Sequence, residues 1–306
     1  DTLPHRLLVV GGGPLGCEMS QAFQRLGTEV TLLTDRDRLL PRDDPDASRV
    51  LGEVFASEGI RVAYKTRIER AWQDRDGIHV EAKASEFLGD ALLLASGRRP
   101  SVAGLDLEKA GVFYDQQGVK VDHSLRTSQR HIYAAGDCTG DLQFTHYAGW
   151  QATLAVRNAL LPGASRGVTD KVPWTTFTDP EVAHIGILED QAREKFGDDI
   201  MTFDWPMVRV DRARTDGDTI GFVKLIHKKD GTLLGVTIVA SRAGEMIHEW
   251  IVALHAGIKV GELSDAIHVY PSYSIAAQQA AAAIRIDRLL HGASGRILRG
   301  LVRLTG

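Results

Sequence analysis

Three glycines near the start of the chain have the types and spacing that bind phosphate. Gly11, Gly13 and Gly16 form a Gly-x-Gly-x-x-Gly pattern, with Pro14 and Leu15 before the last glycine. The first glycine permits a tight turn, the second lets backbone approach a pyrophosphate, and the third lets a helix pack closely on a strand. The amino terminus of the following helix favours negative charge. The pattern predicts a dinucleotide phosphate site; the alternative is a glycine turn in an unrelated α/β domain.

The residues after the second predicted strand bear on which dinucleotide would bind. An acidic residue at the end of that strand accepts the ribose hydroxyls of NAD, whereas arginine favours the 2′-phosphate of NADP. Here the chain has Thr34, Asp35, Arg36, Asp37 and Arg38, with both signs of charge and a threonine at the strand end. The sequence leaves NAD and NADP as alternatives, and some of these charges would simply be solvated.

Two further predicted strands end in polar residues at the edge of a sheet where ligands bind. They end in Ser96, Gly97 and Arg98, and, after residues 132–135, in Gly136 and Asp137. Ligands of open α/β sheets bind outside the carboxyl ends of the strands. Asp137 could meet a ligand hydroxyl there while Gly136 keeps the backbone clear, although Gly-Asp is also an ordinary turn.

The segment "IHVYPSYSI", residues 267–275, combines a histidine, two tyrosines and two serines around one proline. An extended backbone would place His268 and Tyr270 on the same face. Histidine can exchange a proton near neutral pH, whereas a tyrosine with an ordinary pKa of about 10 serves mainly as a hydrogen-bond donor. The segment is therefore a candidate for proton transfer, and polar packing is the alternative.

The elements that must position these residues follow from hydrophobic patterning. The apolar run "RLLVV" precedes the glycines, apolar residues then recur at helical spacing, and "EVTLLT" follows as a second strand. Short strands follow from Ile60 to Glu81, and "TTFTDPEVAHIG" and "GFVKLIHKKDGTLLGVTIVA" predict paired strands in the second half. The fold class is an α/β nucleotide-binding domain, Rossmann-like and three-layered, followed by an α+β domain.

Composition excludes several classes of protein. The chain has 306 residues, 43% of them hydrophobic, and a net charge of -4, which suits a globular protein of two or three domains without a nucleic-acid partner. No apolar run reaches the roughly 18 residues that a membrane span needs. The two cysteines, Cys17 and Cys138, indicate no disulfide framework, and no histidines or cysteines have metal spacing. We expect a cytoplasmic protein without a metal.

Four motifs in order resemble the pyridine nucleotide-disulfide oxidoreductases, a family of flavoenzymes that includes dihydrolipoamide dehydrogenase and mercuric reductase. The motifs are "GGGPLGCE", "ASGRRP", "IYAAGDCTG" and "PWTTFTDPEVAHIG". The resemblance covers essentially the whole chain. Within the family, the sequence most resembles the mercuric-reductase-like branch. It implies an FAD-dependent protein that uses NAD or NADP.

The resemblance also implies roles for particular residues. The three glycines would bind the pyrophosphate of NAD(P)H, and Glu18 would lie near the nicotinamide and pair with a lysine of the flavin domain. Asp137 would hold a ribitol hydroxyl of FAD, while Thr145 and His146 would approach the flavin ring through their backbone. Residues from about Val172 onward would form the domain that makes a homodimer.

Two departures from the family limit what it implies for catalysis. The chain has neither a second glycine pattern nor the family's Cys-x-x-x-x-Cys redox pair. The family's acid–base histidine and glutamate are replaced by Tyr270 and Ile275. We retain Tyr270 and His268 as catalytic candidates, against the alternative that they shape the structure or the substrate site.

These observations predict three parts: an NAD(P)-binding domain (1–102), the remainder of an FAD-binding domain (103–168) and a dimerisation domain (169–306). The leading hypothesis is the carboxyl-terminal part of a homodimeric oxidoreductase that passes electrons from NAD(P)H through FAD to a small-molecule acceptor. The alternatives are a dinucleotide-binding and dimerisation module without turnover, or a dehydrogenase acting directly on its substrate. The basic, leucine-containing tail (284–304) would pack on the dimer or, alternatively, lie on a membrane surface.

Overall fold

A computed structural model describes residues 2–83 and 85–291 of the chain. The chain forms two compact units. One comprises the described residues of Asp1–Ser96 and Thr175–Gly306, and the other is Gly97–Trp174. The predicted division into 1–102, 103–168 and 169–306 follows function rather than compactness, and it stays a prediction.

The amino-terminal part of the first unit contains two sheets and two helices. Its strands are β1 (Arg6–Val10), β2 (Glu29–Leu33), β3 (Arg61–Ala63), β4 (Ile68–Gln73), β5 (Ile78–Ala82), β6 (Ser85–Gly89) and β7 (Ala91–Leu94). Its helices are α1 (Pro14–Arg25) and α2 (Pro45–Ser57). Strands β3-β2-β1-β7 form a parallel sheet in that order, and β4-β5-β6 form an antiparallel sheet.

Side chains of the parallel sheet alternate between two hydrophobic cores. Val9 and Leu32 lie in the cluster that contains Phe55 of α2. Leu8 instead lies in a cluster with Val80 of the antiparallel sheet. Successive strand residues point to opposite faces, so both faces of β1 and β2 are covered. This arrangement of helices, parallel sheet and antiparallel sheet confirms the predicted three-layer fold.

The ends of α1 and α2 follow from local sequence. Proline is the first residue of both helices, where its missing N–H costs nothing. The Asp44 side chain caps α2 by accepting a hydrogen bond from the Asp46 amide at 2.8 Å. Helix α2 was not among the predicted elements, although an aspartate followed by proline is a typical helix start.

The hairpin of β4 and β5 contains a histidine, His79, whose pKa is raised by a carboxylate. His79 Nδ1 lies 2.6 Å from Glu86 Oε1, and this hydrogen bond raises the pKa of His79 above its ordinary value. The interaction of the protonated imidazole with Glu86 therefore stabilises the fold fully below about pH 6.5. This stabilisation is lost as the pH rises through the pKa of His79 in the folded state.

We therefore expect the imidazole resonances of His79 to titrate above pH 6.5 in an NMR experiment. Glu86→Gln should bring the midpoint down, because it removes the charged acceptor. Glu69→Gln, on the same hairpin but without a part in this contact, is the matched control and should leave the midpoint in place. An unchanged midpoint in Glu86→Gln would contradict the assignment.

The second unit is built on one long helix, α3 (Thr145–Leu160), and a short hairpin of β8 (Tyr114–Asp115) and β9 (Gly118–Val119). The predicted strand at residues 132–135 is wrong as a regular strand. Ala135 has extended backbone, with φ -144° and ψ 152°, but the segment forms a single bridge, between Tyr133 and Arg126. Regular strands require a continuous ladder with a neighbour, and this segment lacks one among the described residues.

The carboxyl-terminal part of the first unit is an α+β arrangement, as predicted. Its strands are β10 (Trp174–Thr176), β11 (Glu181–Gly186), β12 (Ile200–Pro206), β13 (Phe222–Lys228) and β14 (Leu233–Ala240). They form one sheet in the order β10-β11-β14-β13-β12, in which the predicted hairpin of β13 and β14 is antiparallel. Its helices are α4 (Glu189–Phe196), α5 (Asp211–Asp216), α6 (Ala243–Ala256), α7 (Val260–Leu263) and α8 (Ile275–His291). The largest fully buried side chain, Trp250 of α6, lies in the core of this part.

A buried lysine joins β13 to the start of α2. Lys224 Nζ lies 3.0 and 3.1 Å from the two carboxylate oxygens of Asp44 and also contacts the Asp46 carboxylate. The side chains of Lys224 and Asp44 are 5% and 2% exposed. Because both charges are removed from water, removing either residue would leave the other as an unpaired buried charge.

The tail predicted to pack on the dimer or a membrane lies partly in α8, which ends at His291, and residues 292–304 lie outside the described residues. None of the helices that the structure describes is long and apolar enough to cross a membrane.

Candidate functional site

The glycine turn between β1 and α1 has the close backbone contacts that the sequence predicts. The Gly11 amide donates a hydrogen bond to the Leu33 carbonyl at 2.8 Å, and Gly11 has a φ of +117°. A Cβ on Gly11 would lie 2.4 Å from the Ala95 carbonyl oxygen, and a Cβ on Gly16 would lie 1.8 Å from the Gly11 oxygen. Both positions therefore require glycine for packing within the protein.

Gly13 differs, because space beside it is open. No described atom beyond its chain neighbours lies within 4 Å of a Cβ built on Gly13. Gly13 is the N-cap of α1, Pro14 is its first residue, and Leu15 in its first turn is 52% exposed. No described side chain caps this helix. Open space at an uncapped helix amino terminus fits a pyrophosphate, so these residues fit a dinucleotide.

Thr34, Asp35 and Arg36 lie at the end of β2, next to this turn. Thr34 is 3% exposed, and its Oγ1 accepts a hydrogen bond from the Arg36 amide at 3.3 Å. The Arg36 Nε lies 3.5 Å from Asp35 Oδ1, and both side chains are 65% exposed. The strand end therefore presents a hydroxyl, with exposed charges of both signs beyond it.

Three polar side chains of α1 bind the segment 177–179, in contacts that we call the α1 clamp. Glu18 Oε1 accepts a hydrogen bond from the Phe177 amide at 2.8 Å. Gln21 exchanges two hydrogen bonds with the backbone of Asp179, both 2.7 Å long. Arg25 lies 2.8 Å from the Asp179 carboxylate. Helix α1, which follows the glycine turn, is thus fixed to the carboxyl-terminal part of the same unit.

The predicted role of Glu18 near a nicotinamide is compatible with this position. Phe177, whose amide donates a hydrogen bond to Glu18, is 67% exposed. The predicted lysine partner of Glu18 stays a prediction.

In the second unit, Gly136 and Asp137 lie in a short 3₁₀ turn before α3. The Gly136 amide donates to the buried Gln151 side chain at 2.8 Å, and a Cβ on Gly136 would lie 2.8 Å from Ala148 Cβ. The Asp137 side chain is 48% exposed, and its Oδ2 lies 3.3 Å from Arg98 Nη1. Gly97 has a φ of +124° and open space beside its Cα. Ser96, the residue before it, belongs to the first unit and is exposed. The Asp137 carboxylate is thus partly exposed, with Arg98 beside it.

Thr145 and His146 form the first turn of α3, and both are exposed. His146 Nε2 lies 2.8 Å from the Pro173 carbonyl oxygen, and its ring stacks on Phe144 at 5.3 Å between centroids. The side chain is therefore engaged, and no described side chain caps the helix. This leaves the first-turn backbone as the group that could meet a ligand, which fits the predicted backbone approach to a flavin ring.

His268 has a carboxylate partner that the sequence did not reveal. His268 Nε2 lies 2.7 Å from Glu249 Oε1 on α6, and Nδ1 lies 3.1 Å from the Ala266 carbonyl oxygen. Both ring nitrogens therefore face acceptors within the protein. No local pattern could have identified Glu249, because it lies on a different element and 19 residues earlier.

Tyr270 lies on the same segment but makes a separate contact. Its hydroxyl lies 3.1 Å from Asp211 Oδ2, and the residue is 63% exposed. This hydrogen bond to Asp211 raises the pKa of Tyr270, so the phenol stays protonated at neutral pH. The structure does not bring His268 and Tyr270 into one hydrogen-bonded pair.

The described histidines, cysteines and acidic residues include no group of three or more arranged to hold a metal ion. Cys17 is buried with its pKa raised by burial, and Cys138 is half-buried; both are free thiols.

Comparisons with known proteins agree across the chain. Residues 1–152 match the family model described as pyridine nucleotide-disulphide oxidoreductase, and residues 172–281 match that family's dimerisation domain. A mercuric reductase of Bacillus cereus is 37% identical over 275 residues, or 88% of this chain and 43% of the relative. A dihydrolipoyl dehydrogenase of Thermus scotoductus is 36% identical over 292 residues, or 93% of this chain and 63% of the relative.

Solved structures give the same result. LpdA of Mycobacterium tuberculosis superposes with a TM-score of 0.87 at 34% identity, covering 93% of this chain and 62% of LpdA. The HOCl-induced flavoprotein disulfide reductase RclA of Escherichia coli gives a TM-score of 0.86 at 31% identity, covering 92% of this chain and 66% of RclA. The chain thus spans between about two fifths and two thirds of the length of these four proteins.

Proposed function

Since the chain belongs to the pyridine nucleotide-disulphide oxidoreductase family, we propose that it is part of a homodimeric, FAD-dependent oxidoreductase. In this proposal electrons pass from NAD(P)H through FAD to a small-molecule acceptor in the cytoplasm. The observation that carries it is the open, uncapped turn at Gly13 beside glycines that tolerate no side chain. Relatives named mercuric reductase, dihydrolipoyl dehydrogenase and flavoprotein disulfide reductase support the same reaction type.

The chain's own residues bind and orient the two cofactors. The amide groups at the start of α1 would bind the pyrophosphate of NAD(P)H, and the α1 clamp would hold that helix still. Asp137 would accept a hydrogen bond from a hydroxyl of FAD, with Arg98 beside it. Flavin supplies the transfer of electrons between nicotinamide and acceptor, and the protein supplies binding and orientation.

Exposed apolar side chains support the homodimer. Ile267 is 97% exposed and Val269 is 78% exposed, on the segment that also carries Tyr270. Large apolar side chains that are adjacent and exposed are typical of a surface that binds another protein. They lie within the part matched by the dimerisation model, so a second copy of the chain is the partner that we propose.

The test uses the full-length protein that contains this chain, expressed with flavin available. We expect a purified protein with the visible absorbance of oxidised FAD, which bleaches when NADH or NADPH is added without oxygen. Asp137→Asn should retain less FAD, because the amide replaces an accepting oxygen by a donor. A protein that stays colourless and still binds dinucleotide would support the binding-module alternative. Substrate-dependent NAD(P)H formation without flavin would support the direct dehydrogenase.

The segment 267–275 gives a separate prediction about proton transfer. A proton relay needs a group that reaches the substrate, yet both nitrogens of His268 face Glu249 and Ala266. Tyr270→Phe in the full-length enzyme should therefore change the rate of acceptor reduction by less than about fivefold, because a hydrogen bond of this kind contributes about 1 kcal/mol. The measurement is steady-state turnover together with the rate of flavin reduction.

Ser272→Ala, on the same segment, is the control for a general change in the loop. A tenfold loss of acceptor reduction in Tyr270→Phe, with flavin reduction intact, would assign a proton-donating role to Tyr270. A pH–rate profile that moves in Tyr270→Phe would have the same meaning, because a structural role does not move it.

A further inference from the structure

The end of β2 directly borders the glycine turn. Thr34 Oγ1 lies 2.9 Å from the position that a Cβ on Gly12 would take. The loop after Thr34 returns to the same turn, because the Leu40 amide donates to the Gly12 carbonyl at 2.8 Å. In dinucleotide-binding folds the residue about 20 positions after the glycines contacts the ribose of the adenosine. Thr34 and the residues after it therefore form the ribose end of the proposed site.

This position holds no carboxylate. Thr34 presents a neutral hydroxyl that is already used by the Arg36 amide. A carboxylate here would accept the two ribose hydroxyls of NAD and would repel a 2′-phosphate. Asp35 is one residue further on and is 65% exposed in its side chain, which faces the guanidinium of Arg36. The strand-end position itself thus lacks the carboxylate that contacts the ribose of NAD.

Basic groups gather at the same edge. The Lys65 amide donates to the Arg36 carbonyl at 2.8 Å, so the turn after β3 lies beside the loop after β2. Lys65 and Arg67 are exposed on that turn. Arg38 is half-buried, and its guanidinium donates to the Pro41 carbonyl within the loop at 2.9 Å. Arg36 and Lys65 are therefore the basic side chains best placed to meet a ligand at the strand end.

The pairing of Arg36 with Asp35 does not prevent this. Their closest approach is 3.5 Å and both side chains are 65% exposed, so the interaction is solvated. Exposed ion pairs of this kind contribute little. A phosphate carries more charge than a carboxylate and offers three acceptor oxygens, and guanidinium binds it in a bidentate manner. A 2′-phosphate can therefore replace Asp35 as the partner of Arg36.

We propose that this site selects the 2′-phosphorylated dinucleotide, NADP(H), over NAD(H), with Arg36 as the residue that binds the 2′-phosphate and Lys65 as a second positive charge. The inference rests on the proposed function, since it names the dinucleotide that the glycine turn holds. Thr34 is the residue that permits the phosphate, because it places no negative charge at the strand end.

The test uses two probes that differ only in the 2′-phosphate, adenosine 2′,5′-bisphosphate and 5′-AMP. Binding of each to the full chain is measured by calorimetry, so the result does not depend on flavin or turnover. We expect the bisphosphate to bind at least about tenfold more tightly than 5′-AMP, as expected for a charge-assisted hydrogen bond. Arg36→Ala should remove most of this difference, with Lys65 keeping the remainder, and should leave 5′-AMP binding within about twofold, since phosphate contacts at the glycine turn are unchanged.

Two controls make the result specific. Arg75→Ala removes an exposed arginine from the turn between β4 and β5 and should leave both affinities unchanged. Arg36→Lys keeps the charge but not the bidentate geometry and should recover part of the preference. Thermal unfolding of Arg36→Ala should match that of the parent, because the side chain is largely exposed.

The outcomes separate this inference from the proposed function. If 5′-AMP binds as tightly as the bisphosphate, the selection for NADP(H) is wrong while dinucleotide binding stands. If the bisphosphate is preferred but Arg36→Ala keeps that preference, the assignment to Arg36 is wrong. If neither probe, NADH nor NADPH binds, the proposed dinucleotide site itself is wrong.

Discussion

Gly16→Ala should lower the free energy of unfolding by about 3 kcal/mol and abolish dinucleotide binding. The added Cβ would stand 1.8 Å from the Gly11 carbonyl oxygen, which is backbone and cannot turn aside. Overpacking of this kind costs about 1–3 kcal/mol or more, and it exceeds the gain of about 1 kcal/mol that alanine brings to a helix. The helix must move away from β1, and the turn then loses its shape. Chemical denaturation and NADPH binding measure the two effects.

Gly13→Ala is the matched comparison on the same turn. Its Cβ has no described neighbour within 4 Å, and the residue has ordinary extended backbone with φ -81° and ψ -176°. We expect stability to change by less than about 1 kcal/mol, the scale of a helix N-cap effect. Dinucleotide affinity should still fall, because the methyl group would occupy the open space at the helix start. Equal stability losses in Gly13→Ala and Gly16→Ala would contradict this account of the turn.

Lys224→Met should lower the free energy of unfolding by about 3–5 kcal/mol. Methionine keeps the aliphatic stem but leaves the Asp44 carboxylate, 2% exposed, without its cation. Lys259→Met is the control, since Lys259 pairs with Asp230 at 3.3 Å on the surface and should lose less than about 1 kcal/mol. Urea denaturation of both variants gives the comparison. Similar losses in the two variants would show that burial does not set the strength of the Lys224 pair.

The same ion pair predicts how stability changes with pH. The hydrogen bond from Lys224 lowers the pKa of Asp46, so its contribution is present above about pH 4 and is lost as the pH falls through the folded-state value. Burial opposes the charge on Lys224, but its hydrogen bonds to Asp46 and Asp44 raise its pKa above the ordinary value. That contribution is lost as the pH rises through the folded-state pKa. In Lys224→Met, the loss of stability at low pH and the loss at high pH should both become smaller.

Features that depend on neighbouring residues could be predicted from the sequence. The glycine turn, β1, α1 and β2 follow from chain-local patterns, and the hairpin of β13 and β14 follows from two apolar runs around a turn. The three layers were predictable because strands that are apolar on both faces must be covered on both. Glycine spacing also identified which position is open, Gly13, and which is closed, Gly16.

Features that join distant residues could not be predicted. Lys224 and Asp44 are 180 residues apart, and a lysine in a strand gives no sign of whether it is buried. Glu249 as the partner of His268 depends on how α6 packs beside the loop at 266–272, which no spacing records. The predicted strand at 132–135 had the right apolar composition, but pairing depends on a neighbouring strand that sequence composition does not reveal.

The α1 clamp sets where this protein can be recombined with its relatives. A chimaera that exchanges residues 1–96 alone would bring in a foreign helix whose polar side chains face an unmatched segment at 177–179. The Asp179 backbone and carboxylate would then lose the hydrogen bonds with Gln21 and the ion pair with Arg25. A crossover placed after residue 181 carries both sides of the contact together. Two separate stretches of sequence must therefore be exchanged together to transplant coenzyme preference: the first 96 residues and the segment 177–179.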